Sequence, residues 1–427
     1  MKIIEMHITP IALSDPPLLN AAGLHAPYAL RTIVELVSDE RIYGLGEVPG
    51  GAESAAALET AREVVLGRDP FQLNTLEQDV RSHAETAARN TGSPPPGAKS
   101  IARTMSAIEV ACLDLIGKSI NRPLADLLGG KARERVPFSA YLFYKYAGAG
   151  GALGFELDPH AQGWLAARQA AALDPAGIVA QAQAMCSFFG FKSIKLKGGV
   201  FDPSIEVETI RALRKAFGAE VPLRLDPNAV WKLETAIHWG RQLAGLLEYY
   251  EDPVRGQPNM AELRRAVPIP LATNMCTTSF ADLPASLRLT SEDIILSDHH
   301  VWGGLRASVE LGRICRTFGR GLSMHSNSHA GISLAAMTHL AAAIPNLTYA
   351  CDTHYPWQVE DVILGGKMQF EDGSLAPPPG GGLGVELDRA ALARLHAAYL
   401  ACGLTRRDDE IEMQKVQPGW KFQAERW

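Results

Sequence analysis

The sequence has few cysteines, and their spacing suggests neither a disulfide framework nor a thiolate metal site. Its 427 residues include 6 cysteines, at positions 112, 186, 276, 315, 351 and 402, and no CxxC pair occurs. Scattered cysteines of this kind are typical of reduced thiols in a cytoplasmic protein, because disulfides are rare in that compartment. We therefore expect a cytoplasmic protein whose cysteines are small buried hydrophobic residues.

Long apolar runs and an excess of positive charge are also missing. No segment is long and apolar enough for a transmembrane helix, and MKIIEMHITPIAL at the start lacks the apolar core and cleavage site of a signal peptide. Lys and Arg number 41 against 47 Asp and Glu, which gives a formal charge of −6. This charge gives no reason to expect nucleic acid or an anionic membrane as a partner, so we expect a small-molecule substrate.

Apolar residues are plentiful, at 47%, and their pattern between 136 and 358 alternates short strands with amphipathic helices. Eight such alternations favour a closed (β/α)₈ barrel, an α/β fold of the TIM-barrel type. The candidate strands are VPFSAYLF (136–143), SIKLKGG (193–199), PLRLDPN (222–228), LEYYEDP (247–253), IPLATN (269–274), DIILSD (293–298), GLSMHS (321–326) and YACDTH (349–354).

The barrel segment is flanked by residues with a different pattern. MKIIEMHITPIAL and TIVELVSD predict strands, whereas SAAALETAREVVLG and MSAIEVACLDLIGKSI predict helices. We therefore predict an α+β domain over 1–135 and the barrel over 136–358. We expect residues 359–427 to return to the first domain.

Polar side chains occur at the carboxyl ends of the predicted strands, where barrels of this kind place their chemistry. One explanation is helix capping, since Asp and Asn are favoured at helix starts. We prefer that explanation for Asp252 and Asn228, which lie beside prolines and turn residues. It accounts for neither the lysines nor the histidines in the set, which comprises Lys195, Lys197, Asp226, Asn228, Glu251, Asp252, Asn274, Asp298, His325 and His354.

The two lysines of SIKLKGG alternate along one strand, so Lys195 and Lys197 point to the same face. If the strand is central, burial and like charge both lower a lysine's pKa and make the amine a usable base. If the strand is an edge, solvated lysines instead protect it from aggregation. Both interpretations are open at this point.

Three oxygen ligands follow successive strands: Asp226, Glu251 and Asn274. Such a set suits a hard cation that keeps other positions for water or substrate, which describes Mg²⁺. Zinc is disfavoured because it prefers nitrogen and sulfur ligands. In addition, the pair His325 and His329 lies among poor helix formers rather than in an HExxH helix.

A second candidate base is the imidazole of His325, because Asp298 on the adjacent strand would orient the ring and raise its basicity. Two bases beside a divalent cation suit removal of the weakly acidic proton α to a carboxylate. In this hypothesis Lys197 takes the proton, while Lys195 stabilises the enediolate and keeps Lys197 neutral.

Several motifs together resemble the enolase superfamily, and within it the glucarate dehydratase group of the mandelate racemase-like enzymes. The resemblance covers nearly the whole chain. It rests on KLKGG (195–199), LDPNAVW (225–231), YEDP (250–253), ATNM (272–275), HSNSH (325–329), THLAAA (338–343), DTH (352–354) and RDD (407–409).

The resemblance implies a capping domain over a modified barrel and Mg²⁺-dependent dehydration of a sugar diacid, D-glucarate or its epimer L-idarate, to 5-keto-4-deoxyglucarate. By position, it implies Asp226, Glu251 and Asn274 as metal ligands, Lys197 and His325 as bases, Asp298 as the partner of His325, and Lys195 beside the enediolate. The implied substrate contacts are Asn20, His25, Tyr141, Phe143, Asn327, His354 and Arg407. Barrels of this kind often self-associate, so we also expect a homo-oligomer.

This chain departs from the group's pattern at Ser328, at Ala330 and Gly331, and at His299, which stands where proline is usual. Other acid sugars therefore remain candidate substrates, and so does a racemase or epimerase reaction. A Schiff-base lyase would also use a lysine with a lowered pKa, although the carboxylates and the histidine count against it. A non-catalytic barrel would not need paired polar groups at every strand end.

Overall fold

The computed structural model describes residues 1–91, 94–151 and 154–427. It shows an α/β architecture in which a parallel barrel sheet carries a strand-rich N-terminal unit. The predicted fold class is confirmed. The boundaries predicted at 135 and 358 stay predictions.

The N-terminal unit, which we call the cap, contains a three-stranded antiparallel sheet in the order β1–β4–β5. A short hairpin, β2 and β3, lies between β1 and β4 in the chain. Helix α3 packs directly on β5, and a side chain at Gly44 or Gly46 would collide with carbonyl oxygens of that helix. The bounds are β1 (Ile3–Ser14), β2 (Leu19–Asn20), β3 (Gly23–Leu24), β4 (Tyr28–Ser38), β5 (Tyr43–Pro49), α1 (Ala52–Val65), α2 (Leu73–Thr91), α3 (Ala98–Ser119) and α4 (Leu124–Leu127).

The barrel sheet has seven parallel strands, each hydrogen-bonded to the next in chain order. Nearly all of their residues are buried, as expected for parallel strands covered on both faces. A separate antiparallel pair joins β6 to β14. The bounds are β6 (Val136–Pro137), β7 (Ala140–Phe143), β8 (Ile194–Lys197), β9 (Leu223–Asp226), β10 (Tyr249–Glu251), β11 (Leu271–Thr273), β12 (Ile294–Ser297), β13 (Gly321–Met324) and β14 (Ser374–Leu375).

The prediction of an eighth strand over 349–354 is wrong, although this segment does close the ring. Cys351 forms a single parallel bridge with Phe138, donating to Pro137 O and accepting from Ser139 N, both at 2.9 Å. On the other side, Asp352 N donates to Met324 O at 2.9 Å. A 3₁₀ turn over Tyr355–Trp357 follows almost at once and ends the pairing before a strand can form.

Helices connect the barrel strands, and several have the start and stop signals expected of their sequences. Asp202 accepts from Ser204 N at 2.9 Å at the start of α7, and Gly190 ends α6 with φ 76°. The helix bounds are α5 (Gly163–Gln169), α6 (Pro175–Phe189), α7 (Pro203–Phe217), α8 (Leu233–Leu243), α9 (Gln257–Ala266), α10 (Leu283–Leu289), α11 (His299–Trp302), α12 (Leu305–Thr317), α13 (Gly331–Ala343), α14 (Arg389–Cys402) and α15 (Asp409–Val416).

The last two helices lie against the cap, with α14 on β1 and α15 on β3. None of the helices in the described ranges has both the length and the apolarity needed to cross a membrane. The expectation that all cysteines are buried is wrong for Cys186, Cys276 and Cys402, which are half-buried. Cys186 and Cys402 lie on helices at the outside of the molecule, where burial is incomplete.

His339 of α13 is a buried histidine that joins α13 to residues outside the barrel sheet. Ala125 N donates to its Nδ1 at 3.2 Å, so the proton lies on Nε2, which donates to Leu383 O at 3.1 Å. Burial lowers the pKa of His339 to about 4. The ring is therefore neutral in the folded protein at neutral pH.

We predict that His339 makes the fold less stable in acid. In the unfolded chain the His339 imidazole binds a proton below its ordinary pKa of 6.5. In the folded protein the ring stays neutral down to about pH 4. The free energy of unfolding therefore falls between these values by about 3 kcal/mol. His339→Gln should flatten the pH dependence of urea unfolding in this window, whereas the exposed control His238→Gln should not. Parallel curves for wild type and His339→Gln would contradict the assignment.

Candidate active site

The carboxyl ends of strands β8 to β13 bring the predicted catalytic and metal-binding side chains to one rim of the barrel. The register pairs Lys197 with Asp226 and Tyr250 with Leu225, so Asp226 and Glu251 lie side by side. Both carboxylates and Lys195 are fully buried, and Lys197 is 7% exposed. Ionic groups from three neighbouring strands therefore share one small space.

Strand β8 is an inner strand, between β7 and β9, so the edge-strand interpretation of the two lysines is wrong. Lys195 Nζ lies 2.7 Å from Glu251 Oε1 and 2.7 Å from Asp352 Oδ2. Lys197 Nζ lies 2.7 Å from Asp226 Oδ2. Each amine neutralises buried carboxylate charge.

The expectation of a lowered pKa for Lys197 is also wrong for this arrangement of charges. Burial, the largest single effect, and the charge of Lys195 lower it, but Asp226, Tyr141 and Glu251 together raise the pKa of Lys197 above its ordinary value. Burial likewise disfavours the charged form of Lys195, yet Asp352 and Glu251 raise the pKa of that lysine. Both amines are protonated here.

The three predicted metal ligands are close together, and the charges of the two carboxylates repel each other. Asn274 Nδ2 donates to Glu251 Oε1 at 2.6 Å. The other oxygen, Glu251 Oε2, is buried and has Lys195 Nζ 2.6 Å away as its counter-ion. Burial and the nearby charge of Asp226 raise the pKa of Glu251 well above its ordinary value. A hard divalent cation would relieve this repulsion through oxygen ligands, so the residues fit Mg²⁺.

Asp252 and Asn228 do not cap helices, so that interpretation is wrong. Asp252 accepts from the backbone N of Asn274 at 2.8 Å and from Thr273 Oγ1 at 2.5 Å, and it thereby orients the residue that follows β11. Asn228 has φ 58° and donates its backbone N–H to Asp226 Oδ1 at 3.0 Å. The next helix begins only at Leu233.

His325 and Asp298 are in contact at the ends of β13 and β12, with 3.1 Å between Nδ1 and Oδ2. The second oxygen, Asp298 Oδ1, lies 2.9 Å from Nδ1 of His300, whose ring is tilted against that of His299 with 3.9 Å between centroids. Burial would raise the pKa of Asp298, but the two histidines that contact it hold it well below its ordinary value. The carboxylate is therefore charged and fixes Nδ1 of His325, whereas Nε2 makes no hydrogen bond to the described residues.

Sequence reasoning missed an ion pair that connects the cap to the His325–Asp298 dyad. Arg31 Nε donates to Glu47 Oε1 at 2.6 Å, and both side chains are buried. Arg31 also donates to Asn327 Oδ1 at 3.2 Å, and its Nη2 lies 3.3 Å from His300 Nε2. Glu47 accepts from two backbone N–H groups at the start of α13, both at 2.8 Å. An acidic residue inside the apolar segment of β5 was the available signal.

Asp352 was missed as well, although it lies in the DTH motif that carries the resemblance. It contacts Lys195, and its Oδ1 lies 3.6 Å from Arg224 Nη1. It lies inside the strand predicted over 349–354, whose end residue was taken to be His354. It supplies the third buried carboxylate in contact with the two lysines, beside Asp226 and Glu251.

The predicted cap residues form one connected cluster. Arg407 donates from Nε and Nη2 to the two oxygens of Asp409, at 2.8 and 2.6 Å. Asn20 Nδ2 donates to Asp409 Oδ2 at 2.7 Å. Arg407 Nη2 also donates to His25 Nε2 at 2.6 Å, which requires the proton of that ring to be on Nδ1.

His25 in turn connects this cluster to the barrel. Its Nδ1 lies 2.8 Å from Asp15 Oδ2, and the other oxygen of Asp15 is 3.5 Å from His354 Nε2. Asp15 was not among the predicted residues, because it follows the end of β1 in a segment without a motif. Burial would raise the pKa of Asp15, but His25 and His354 lower it below its ordinary value.

Aromatic side chains lie between the cap cluster and the barrel lysines. Tyr141 and Phe143 have 4.7 Å between ring centroids, and Phe143 meets the ring of His354 edge to face at 5.2 Å. Lys195 Nζ lies 4.7 Å from the centre of the Tyr141 ring. An apolar strip therefore separates the cap cluster from the barrel lysines.

A cleft of ≈ 570 Å³ opens between the cap and the barrel rim. The buried hydroxyl of Ser328 lies in its wall and makes no hydrogen bond to any described residue. The cleft is large enough for a small polar molecule. Its lining includes Asp15, His25, Arg31, Asn327, Ser328 and Arg407.

Two domain families match the chain. Residues 15–129 match the mandelate racemase / muconate lactonizing enzyme N-terminal domain, and residues 177–391 match the enolase C-terminal domain-like family. A probable glucarate dehydratase of Streptomyces coelicolor is 44% identical over 98% of this chain and 97% of its own length. Muconate cycloisomerase 1 of Rhodococcus opacus is 25% identical over 91% of the chain and 96% of its own length.

Solved structures similar to this chain include two enolases. An enolase from Thermobispora bispora, complexed with magnesium and formate, is 50% identical with a TM-score of 0.91 and covers 99% of each chain. An enolase from Pseudomonas fluorescens with bound magnesium, potassium and tartrate is 47% identical with a TM-score of 0.92, over 100% of this chain and 99% of the other.

We predict that the Arg31–Glu47 pair is required for stability. Glu47→Gln leaves a buried guanidinium without its counter-ion and should lower the free energy of unfolding in urea by about 3 to 5 kcal/mol. Glu59→Gln is the matched control, because Glu59 forms an exposed pair with Arg62 on α1 and its substitution should give no measurable change. Equal unfolding midpoints for the two variants would show that the pair does not hold the cap on the barrel.

Proposed function

The chain belongs to the enolase superfamily, and we propose that it is a Mg²⁺-dependent acid-sugar dehydratase. It removes the proton α to a carboxylate and eliminates the β-hydroxyl as water, acting on D-glucarate or L-idarate to give 5-keto-4-deoxyglucarate. The observation that carries this proposal is the pairing of an oriented base, His325 on Asp298, with a lysine and an oxygen-ligand set on the same rim. The similarity to a probable glucarate dehydratase supports the substrate class.

The metal site is assigned to Asp226, Glu251 and Asn274. A bound Mg²⁺ would stabilise the negative charge that builds on the substrate carboxylate as the α proton leaves. Lys195, held between Glu251 and Asp352, places a fixed positive charge in the same region. The chain's own contribution is therefore a buried cation that needs no reorganisation when the charge develops.

The proton transfers are assigned to the two bases on different sides of the barrel mouth. His325 has Nε2 free to accept the α proton, because Asp298 occupies Nδ1. Lys197 accepts it from the opposite face for the other epimer, after its own proton has passed to solvent water. Whichever base has been protonated can then donate to the leaving hydroxyl, so one group serves as base and then as acid.

Recognition of a diacid is assigned to the cap cluster. Arg407 is half exposed, and its Nη1 makes no hydrogen bond within the described part of the chain. Asp409 and His25 hold the guanidinium in one orientation, so Nη1 can donate to a carboxylate at the end of the substrate remote from the metal ligands. Asn20, His25 and Asn327 supply polar contacts nearby, and Tyr141, Phe143 and His354 line the apolar side.

The proposal predicts keto-acid formation from sugar diacids that depends on Mg²⁺ and on Glu251. A panel of sugar diacids and monoacids should give product only with diacids, and chelation should abolish it. Glu251→Gln removes a charged ligand without changing volume, so it should lower activity by roughly 100-fold or more while circular dichroism shows an intact fold. The control is Glu262→Gln on the exposed face of α9.

Three outcomes would contradict this assignment. Full activity after exhaustive chelation, or in Glu251→Gln, would remove the metal role. Turnover of monoacids alone would remove the diacid role of Arg407. Epimer interconversion without keto acid would favour the racemase alternative, which the two bases would also serve.

The two-base assignment predicts variants that differ in epimer preference. Exchange of the α proton with solvent deuterium, followed by proton NMR, should be lost mainly for one epimer in His325→Gln and mainly for the other in Lys197→Ala. The reason is that each base reaches only one face of the carbon. If both variants lost exchange equally with both epimers, the assignment of one base to each face would be wrong.

A further inference from the structure

A single guanidinium connects the cap to the loop that follows the strand of the two lysines. Arg426 Nη2 donates to the carbonyl oxygens of Ala21 and Gly199, the second at 2.9 Å. Ala21 lies in the turn between β2 and β3, and Gly199 is two residues beyond Lys197. The side chain therefore joins a cap hairpin directly to the barrel rim.

The backbone around Arg426 is anchored on the next barrel loop. Arg426 N donates to Val230 O at 2.8 Å, and Lys232 N donates to Trp427 O at 2.5 Å. Val230 and Lys232 lie in the loop after β9, the strand that ends in Asp226. The tail over 417–427 thus lies across two successive barrel loops.

Two tryptophans hold the guanidinium in place. Its central carbon lies 5.6 Å from the ring centre of Trp420 and 5.1 Å from that of Trp427. Contacts of a cation with aromatic faces are attractive and limit the freedom of the side chain. Gln414 Nε2 of α15 donates to Trp420 O at 3.0 Å, so the tail is also fixed to the helix that begins at Asp409.

The barrel loop that Arg426 contacts is fixed from its other side by Glu206. Its carboxylate accepts from the backbone N of Gly199, Val200 and Phe201, at 2.9, 2.8 and 3.1 Å. Gly199 has φ 71°, and a Cβ there would collide with Pro227 O. The loop is therefore rigid, and Arg426 ties the hairpin to a fixed point.

The hairpin carries residues of the cap cluster. Asn20, one residue before Ala21, donates to Asp409 and accepts from Ala22 N at 2.6 Å. His25 follows β3 directly. A displacement of the hairpin turn would therefore move Asn20 and His25 relative to Lys197.

We propose that Arg426 is a positioning residue that sets the distance between the recognition side of the site on the cap and its catalytic side on the barrel. Its kinetic consequence rests on the proposed acid-sugar dehydration. Arg426 touches backbone carbonyls rather than the cleft, so it acts through the hairpin and the Gly199 loop. Its loss weakens substrate binding more than it slows the proton transfers, because His325 and Lys197 keep their partners.

The test compares Arg426→Ala, Arg426→Lys and Lys421→Ala. Lys421 is exposed in the same tail and forms no hydrogen bond or ion pair with other described residues, so it is the matched control. Arg426→Ala should raise KM for the acid sugar about tenfold and change kcat less, since misplaced contacts lose binding before chemistry. Arg426→Lys keeps the charge and part of the hydrogen bonding, so it should recover part of the affinity.

A second measurement needs no turnover. In amide hydrogen exchange of the substrate-free protein, Arg426→Ala should raise exchange in 19–24, while 199–201, whose amides are bound by Glu206, and the barrel strands stay unchanged. A rise confined to 417–427, or a KM equal to that of Lys421→Ala, would overturn the proposal. If the wild type turns over no acid sugar at all, the proposed function fails, while the exchange experiment still decides whether Arg426 ties the hairpin to the barrel.

Discussion

The buried lysines and carboxylates at the barrel rim are the constraint on which the rest of the site depends. Lys195 and Lys197 face Asp226, Glu251 and Asp352, and none of these residues is more than 7% exposed. Removing either lysine would leave buried carboxylate charge uncompensated, which costs far more than a surface pair gains. Strands β8, β9 and β10 must therefore stay in register, and the repulsion between Asp226 and Glu251 is what makes a divalent cation a suitable addition.

The cap is joined to this rim by charged and hydrogen-bonded contacts as well as by apolar packing. Arg31 and Glu47 connect β4 and β5 to the start of α13 and to His300 behind the dyad. His25 and Asp15 connect the Arg407 cluster to His354. Directional contacts of this kind fix orientation as well as distance. The cleft between the two parts therefore has a defined shape in the absence of any substrate.

Sequence patterns predicted the residues whose positions follow from local periodicity. Alternation in SIKLKGG and the order of strands and helices were enough to place Lys195, Lys197, Asp226, Glu251 and His325 at one rim. Asp352, Asp15 and the Arg31–Glu47 pair escaped because each acts through a partner far away in the chain, and no local pattern encodes such a contact. The raised pKa of Lys197 escaped for the same reason, since Asp226 is 29 residues away in sequence but 2.7 Å away in space.

The groups of the proposed site are divided between the barrel and the cap. Every group assigned to proton transfer or metal binding lies on the barrel, whereas Arg407, His25 and Asn20 lie on the cap or on residues that return to it. Under the proposed function, substitutions at the rim act on bond breaking, and substitutions in the cap act on which molecule is bound. The reaction class is therefore constrained by the buried charges that also stabilise the barrel, while the cap can change its ligand contacts without disturbing that balance.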